Sequence, residues 1–66
     1  MDVLVNGKSL SVATRISVAD LLIQLGLAGK RVAVERNGDI VPKSLHPTTH
    51  LSDNDRLEIV VAVGGG

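Results

Sequence analysis

No cysteine and no phenylalanine, tyrosine or tryptophan occur in the chain, and each absence removes a class of function. Without thiols there is no disulfide, no iron–sulfur cluster and no thiolate nucleophile. Without aromatic rings there is no platform on which nucleic-acid bases stack, and the core must be filled with Val, Leu, Ile and Ala. An excess of either charge is missing too: seven Lys+Arg stand against seven Asp+Glu. A balanced surface offers little electrostatic footprint to nucleic acid or an anionic membrane, so partners are expected to be recognised by shape. No run approaches the roughly 20 apolar residues that span a bilayer. The opening Met1-Asp2-Val3-Leu4-Val5-Asn6-Gly7 lacks the basic start and long apolar stretch of a secretory leader. The expected location is the cytoplasm.

What is present is patterning. The 66 residues are 44% hydrophobic, enough for one small domain, since a chain this short buries only about 60% of its unfolded surface. Val3-Leu4-Val5 predicts a strand, and Asn6-Gly7 a hairpin turn in which both residues tolerate positive φ. A returning strand is expected at about Ser9 to Val12. Ser17 fits a helix N-cap, with Asp20 reaching back from the third helical position and Ile16 packing against Leu21. Val18, Leu21, Leu22 and Leu25 share one helical face. Gly26 then suits a left-handed stop, so the helix is predicted over Ser17 to Leu25. Val32 to Arg36, the Asn37-Gly38 turn and Asp39-Ile40-Val41 predict a second hairpin ended by Pro42. The stretch Lys43 to Ser52 is irregular, with room for one 3₁₀ turn. Asp53-Asn54-Asp55 marks a turn into the longest strand, Arg56 to Val63. Leu57, Ile59, Val61 and Val63 lie on one of its faces. The other face begins with Arg56 and Glu58 and becomes apolar at Val60 and Ala62, as in an interior strand or one that offers an outer surface to a partner. The order ββαββ-β predicts an α+β fold of the ubiquitin-like β-grasp type, a mixed sheet of about five strands on one main helix. Residues 1–63 would form this domain and residues 64–66 a flexible glycine tail.

The Asn6-Gly7 turn, Leu21-Leu22, Val32-Ala33-Val34-Glu35, the run Asn37 to Lys43, Leu51-Ser52-Asp53, Asp55 to Val60 and the ending Ala62-Val63-Gly64-Gly65-Gly66 occur here in a distinctive order and spacing. Together they resemble the ThiS family of ubiquitin-like sulfur carriers in bacterial thiamine biosynthesis, along the whole chain. The related molybdopterin-synthase small subunits share the fold and the diglycine ending but are typically longer. The turn from Asn37 to Pro42 is more similar to the thiamine carriers. The resemblance implies a carrier and not an enzyme. An adenylating partner, ThiF, would use ATP to activate the Gly66 carboxylate. A persulfide-type donor would then supply sulfur to form a thiocarboxylate, and thiazole synthase, ThiG, would accept it. The carrier itself is expected to hold no cofactor.

The chemistry of the tail agrees with that implication. A terminal carboxyl titrates near about 3.5, so at neutral pH it is an anion that repels nucleophiles and must be activated. Glycines without Cβ can thread a narrow channel, and three extended residues reach on the order of 10 Å. Gly66 is the expected attachment point, with Gly64 and Gly65 supplying reach. Ordering such a tail costs about 1–2 kcal/mol per residue, so the body must contribute binding surface, and Val60 and Ala62 are the leading candidates. Other constellations are weaker. His46 and His50 have metal-ligand spacing on a helix, but Pro47 interrupts it and no third ligand is evident, so both are expected to be solvated loop residues and no metal is assigned. Asp53 and Asp55 fit turn formers better than an acid–base pair. Glu35 and Arg36 are expected on a solvated edge or as rim contacts, and Lys8, Lys30 and Lys43 as exposed lysines, which in a modifier system could serve as attachment sites. The alternatives are a molybdopterin-synthase-like carrier, a protein modifier that attaches to lysines, and an RNA- or ligand-binding β-grasp module.

Overall fold

In the computed structural model, which describes residues 1–62, both Asn-Gly pairs make the turns their chemistry favours. Asn6 and Gly7 lie at φ 50° and 84°, and Asn37 and Gly38 at 50° and 89°. Two consecutive positive φ values twist the chain in the sense that flanking strands require. The first turn joins β1 (Asp2–Val5) to β2 (Lys8–Ser11), and the second joins β3 (Val32–Arg36) to β4 (Asp39–Ile40). The last strand, β5 (Arg56–Val61), inserts between the hairpins. The sheet order is β2-β1-β5-β3-β4, with β1 and β5 parallel and the other pairings antiparallel. This is the mixed five-stranded β-grasp arrangement expected from the sequence.

The helix α1 (Val18–Gln24) is bounded as its capping chemistry predicts. Ser17 Oγ accepts from the Asp20 amide at 3.0 Å. At the other end Leu27 N–H donates to Leu22 O at 2.8 Å and Gly26 N–H to Ile23 O at 3.0 Å, with Gly26 at φ 75°. That pair of bonds is a Schellman stop. One expectation is corrected. The reciprocal bond, from the Ser17 amide to the Asp20 carboxylate, does not form among the described residues. Instead the irregular connection does the remaining capping: Val18 N–H donates to Thr49 O at 2.9 Å and Ala19 N–H to His46 O at 3.0 Å. The helix start is thereby satisfied from a segment nearly 30 residues away, which local reading could not foresee.

The core lies between α1 and one face of the sheet. Val3, Val34, Leu57 and Ile59 face Val18, Leu21 and Leu22, while Val12, Ile16, Val41 and Leu51 close its edges. The connection after Pro42 contains a 3₁₀ turn, Lys43–Leu45. His46 follows it and is buried, with Nε2 3.1 Å from Val41 O. This corrects the expectation of a solvated loop histidine: the ring fills the space beneath the connection and bonds a backbone group there. His50 is exposed, as expected.

Candidate functional site

The expected site is the end of β5, and the structure shows how firmly that strand is held. Being central, β5 is bonded on both sides, to β1 by Leu4↔Arg56 and Val5↔Leu57 and to β3 from Arg36↔Leu57 to Val32↔Val61. Two asparagine side chains extend these ladders. Asn6 Nδ2 donates to Ile59 O at 3.0 Å while its Oδ1 accepts Ile59 N–H at 2.8 Å. At the start of the strand Asn37 Oδ1 accepts Arg56 N–H at 2.9 Å, and Asn37 N–H donates to Arg56 O at 2.8 Å. Each turn residue therefore also substitutes for strand backbone where the neighbouring strand has already turned away.

A buried carboxylate anchors the entry to β5. Asp55 accepts from Arg36 Nε at 2.8 Å, Asn37 Nδ2 at 3.0 Å and the Ser52 amide at 2.8 Å. Burial pushes its pKa up, but the bonds from Ser52, Asn37 and Arg36, together with the Arg36 charge, outweigh that and hold the carboxyl below its ordinary value. Asp55 is thus more than a turn former. Arg36, expected on a solvated edge, is half-buried in this ion pair. Asp53 does shape the local turn region, and its Oδ1 also accepts the Asp2 amide at 2.9 Å, tying the loop to β1.

Near its end β5 changes character. Leu57 and Ile59 are buried, but Val61, expected on the same core face, is 43% exposed. Val60 is 63% exposed on the opposite side of the sheet, paired with exposed Ala33 on β3, and Ala62 is also exposed. Of the two readings open for Val60 and Ala62, interior packing and outer surface, the structure shows the outer surface. The last described bond is Ala62 N–H to Arg31 O at 2.9 Å. Val63, Gly64, Gly65 and Gly66, including the expected attachment point and its tail, lie outside the described residues.

Among the described residues no three His, Asp or Glu side chains gather as a metal would require. His46 engages Val41 O and not a common ligand site with His50. No described helix is long and apolar enough to cross a membrane. Lys8, Lys30 and Lys43 are exposed. What the sequence reading missed is the double service of Asn6 and Asn37. Their partners lie 53 and 19 residues away, and an Asn-Gly pair gives no signal of either.

Comparison with known proteins places this geometry. The model of the ThiS family matches residues 3–66. The sulfur carrier protein ThiS of Bacillus subtilis is 44% identical over 50 residues, which is 76% of each chain. A thiazole synthase of Paramagnetospirillum magneticum is 42% identical over all 66 residues, yet the chain spans only 20% of that protein's length. Among solved structures, the crystal structure of the thiamine biosynthesis protein ThiS from Geobacter metallireducens superposes with a TM-score of 0.84 at 35% identity, covering the whole of both chains.

Proposed function

The chain belongs to the ThiS family, and we propose that it carries sulfur for thiamine biosynthesis as a thiocarboxylate formed at the Gly66 carboxyl group. The observation that carries this reading is the reach of the family match, which runs through residue 66 and so includes the three glycines. The fold supports it by bonding β5 on the β1 side as far as Ile59 and on the β3 side as far as Ala62. Residues 1–63 would act as the body and Gly64 and Gly65 as the reach of the tail.

The steps follow from the chemistry of a carboxylate. An adenylating enzyme of the ThiF kind brings ATP, and a Gly66 carboxylate oxygen attacks the α-phosphorus with loss of pyrophosphate. The acyl-adenylate has AMP as a good leaving group. A persulfide sulfur on the donor attacks the acyl carbon and AMP departs, leaving an acyl disulfide. A thiol cleaves the S–S bond, is itself oxidised to a disulfide, and releases the thiocarboxylate. This soft anion then attacks a carbon electrophile on thiazole synthase. The chain's own part is to present the carboxyl group and to be recognised, within the cytoplasm, by each enzyme in turn. The exposed apolar residues Val60 and Ala62 form the leading contact surface for both.

Intact mass spectrometry of the protein isolated from its native cell under thiamine starvation tests the reading. The expected result is a species heavier than the carboxylate by the difference between one sulfur and one oxygen, absent when Gly66 is deleted. Adducts of whole-protein mass would indicate a protein modifier instead, and thiamine synthesis that persists without Gly66 would overturn the proposal.

A further inference from the structure

On the helix side of the molecule, α1, the loop after it and the 3₁₀ segment enclose a groove of about 390 Å³. Leu22, Ile23, Leu27, Ala28, Val32 and Pro47 give it apolar walls, and Ile23 is 63% exposed there. One exposed aliphatic residue is ordinary, but here it belongs to a contiguous apolar depression, which is the informative feature.

The charged lining of the groove is of one sign. Lys30, Arg31 and Lys43 line it, all three exposed, and no Asp or Glu does. The ion pair among the described residues is Arg36 with Asp55, so none of the three cations is matched by a described carboxylate. A chain that is neutral overall therefore gathers three of its seven basic residues on one apolar depression. Across the sheet the polarity reverses, since Glu35 and Glu58 stand directly opposite each other on β3 and β5.

The position of the groove gives it a use. Arg31 O accepts the Ala62 amide, and Val32 pairs with Val61. The cationic rim thus adjoins the point where the chain passes into its glycines. Through Arg31 the rim is within reach of an enzyme that takes up the chain beyond Ala62.

We propose that the groove seats an acidic, apolar segment of thiazole synthase, with a hydrophobic side chain between Ile23 and Pro47 and flanking carboxylates paired with Lys30, Arg31 and Lys43. The proposal rests on the carrier reading and adds a second contact face to it, on the other side of the sheet from Val60 and Ala62. Charge complementarity sets the chemistry of the occupant. Thiazole synthase is the partner to commit to because relatives contain a domain like this one within a thiazole synthase chain. Such a rim steers encounter as well as holding the complex, so binding should depend on salt.

Isothermal titration of the full chain against thiazole synthase from the same organism, over a series of salt concentrations, tests this. The double variant Lys30→Glu, Lys43→Glu should bind about tenfold more weakly at low salt and lose most of the salt dependence. Ile23→Asp should weaken binding at every salt concentration. Lys8→Glu, on β2 and outside the groove, should bind as the parent does. Unaltered binding by the groove variants would overturn the groove while leaving the carrier reading intact, provided the thiocarboxylate still forms. A parent protein that fails to bind thiazole synthase would overturn both the occupant and the partner reading. Loss of adenylation with normal thiazole synthase binding would give the groove to the adenylating enzyme and overturn the proposal. So would a self-association, seen by sedimentation, that the variants abolish.

Discussion

Asn6 holds Ile59 by both halves of its amide, donating through Nδ2 at 3.0 Å and accepting through Oδ1 at 2.8 Å. The pairing lies where β1 has already turned away and β5 would otherwise face the turn with an unbonded backbone. It satisfies the β5 backbone at Ile59, one residue before Val60, the first residue of the exposed apolar surface.

Asn6→Asp separates this role from the turn, because aspartate also tolerates positive φ. A carboxylate can still accept the Ile59 amide but sets an anion against the Ile59 carbonyl. The variant is expected to lose about 1–3 kcal/mol of stability, the cost of leaving a partly buried acceptor unsatisfied. Urea denaturation measures it. A loss within a few tenths of a kcal/mol would show that the amide bridge is incidental.

Asp55 makes stability depend on pH in a definite sense. Its folded pKa is depressed, so its contribution is present above the ordinary carboxylate value of about 4 and disappears as pH falls through the lower folded value. Asp55→Asn does not titrate and leaves Arg36 without its counter-charge. The variant is expected to be about 1–3 kcal/mol less stable than the parent at neutral pH. The gap should narrow steadily below about pH 4. Chemical denaturation at a series of pH values gives both curves, and a gap independent of pH would contradict the assignment.

Gly26 lies at φ 75° with nothing within 4 Å of an added Cβ. Gly26→Ala therefore meets no clash and tests backbone strain alone. The expected loss is about 1–2 kcal/mol from the left-handed conformation, with the helix otherwise intact by circular dichroism. A larger loss accompanied by falling helicity would mean that the stop itself had been dismantled.

Val60→Asp and Ala62→Asp alter an exposed face and should leave the fold standing, costing no more than about 1 kcal/mol in strand preference. Function is where they are expected to act, through slower thiocarboxylate formation and slower sulfur transfer in a reconstituted assay. If both rates match the parent while thermal unfolding is unchanged, this surface is not the contact.

Several elements were legible in the sequence because their causes are local. The Asn-Gly turns need only positive φ at two adjacent positions. The helix limits follow from bonds spanning three to five residues, Ser17 with Asp20 and Leu22 with Leu27. The ββαββ-β order then leaves few arrangements, since a lone late strand with one apolar and one mixed face fits best in the middle of the sheet. The proposed role of the glycine tail rests on a different footing, the chemistry of a backbone carboxyl group and what glycine omits.

Other features depend on which distant residues the packing brings together. His46 looked like a polar loop residue until the connection folded over it and gave its ring the Val41 carbonyl. Asp55 met Arg36 and Asn37 only because β5 inserted beside β3. Balanced charge suggested an electrostatically featureless surface, yet folding collected Lys30, Arg31 and Lys43 around one groove. By itself, then, the sequence determined the turns, the helix and its stops, the strand order and the glycine ending, all of which rest on backbone preference and short-range bonding. Only the tertiary structure decided which polar groups became buried partners and where like charges gathered, because those depend on register and packing between segments far apart in the chain.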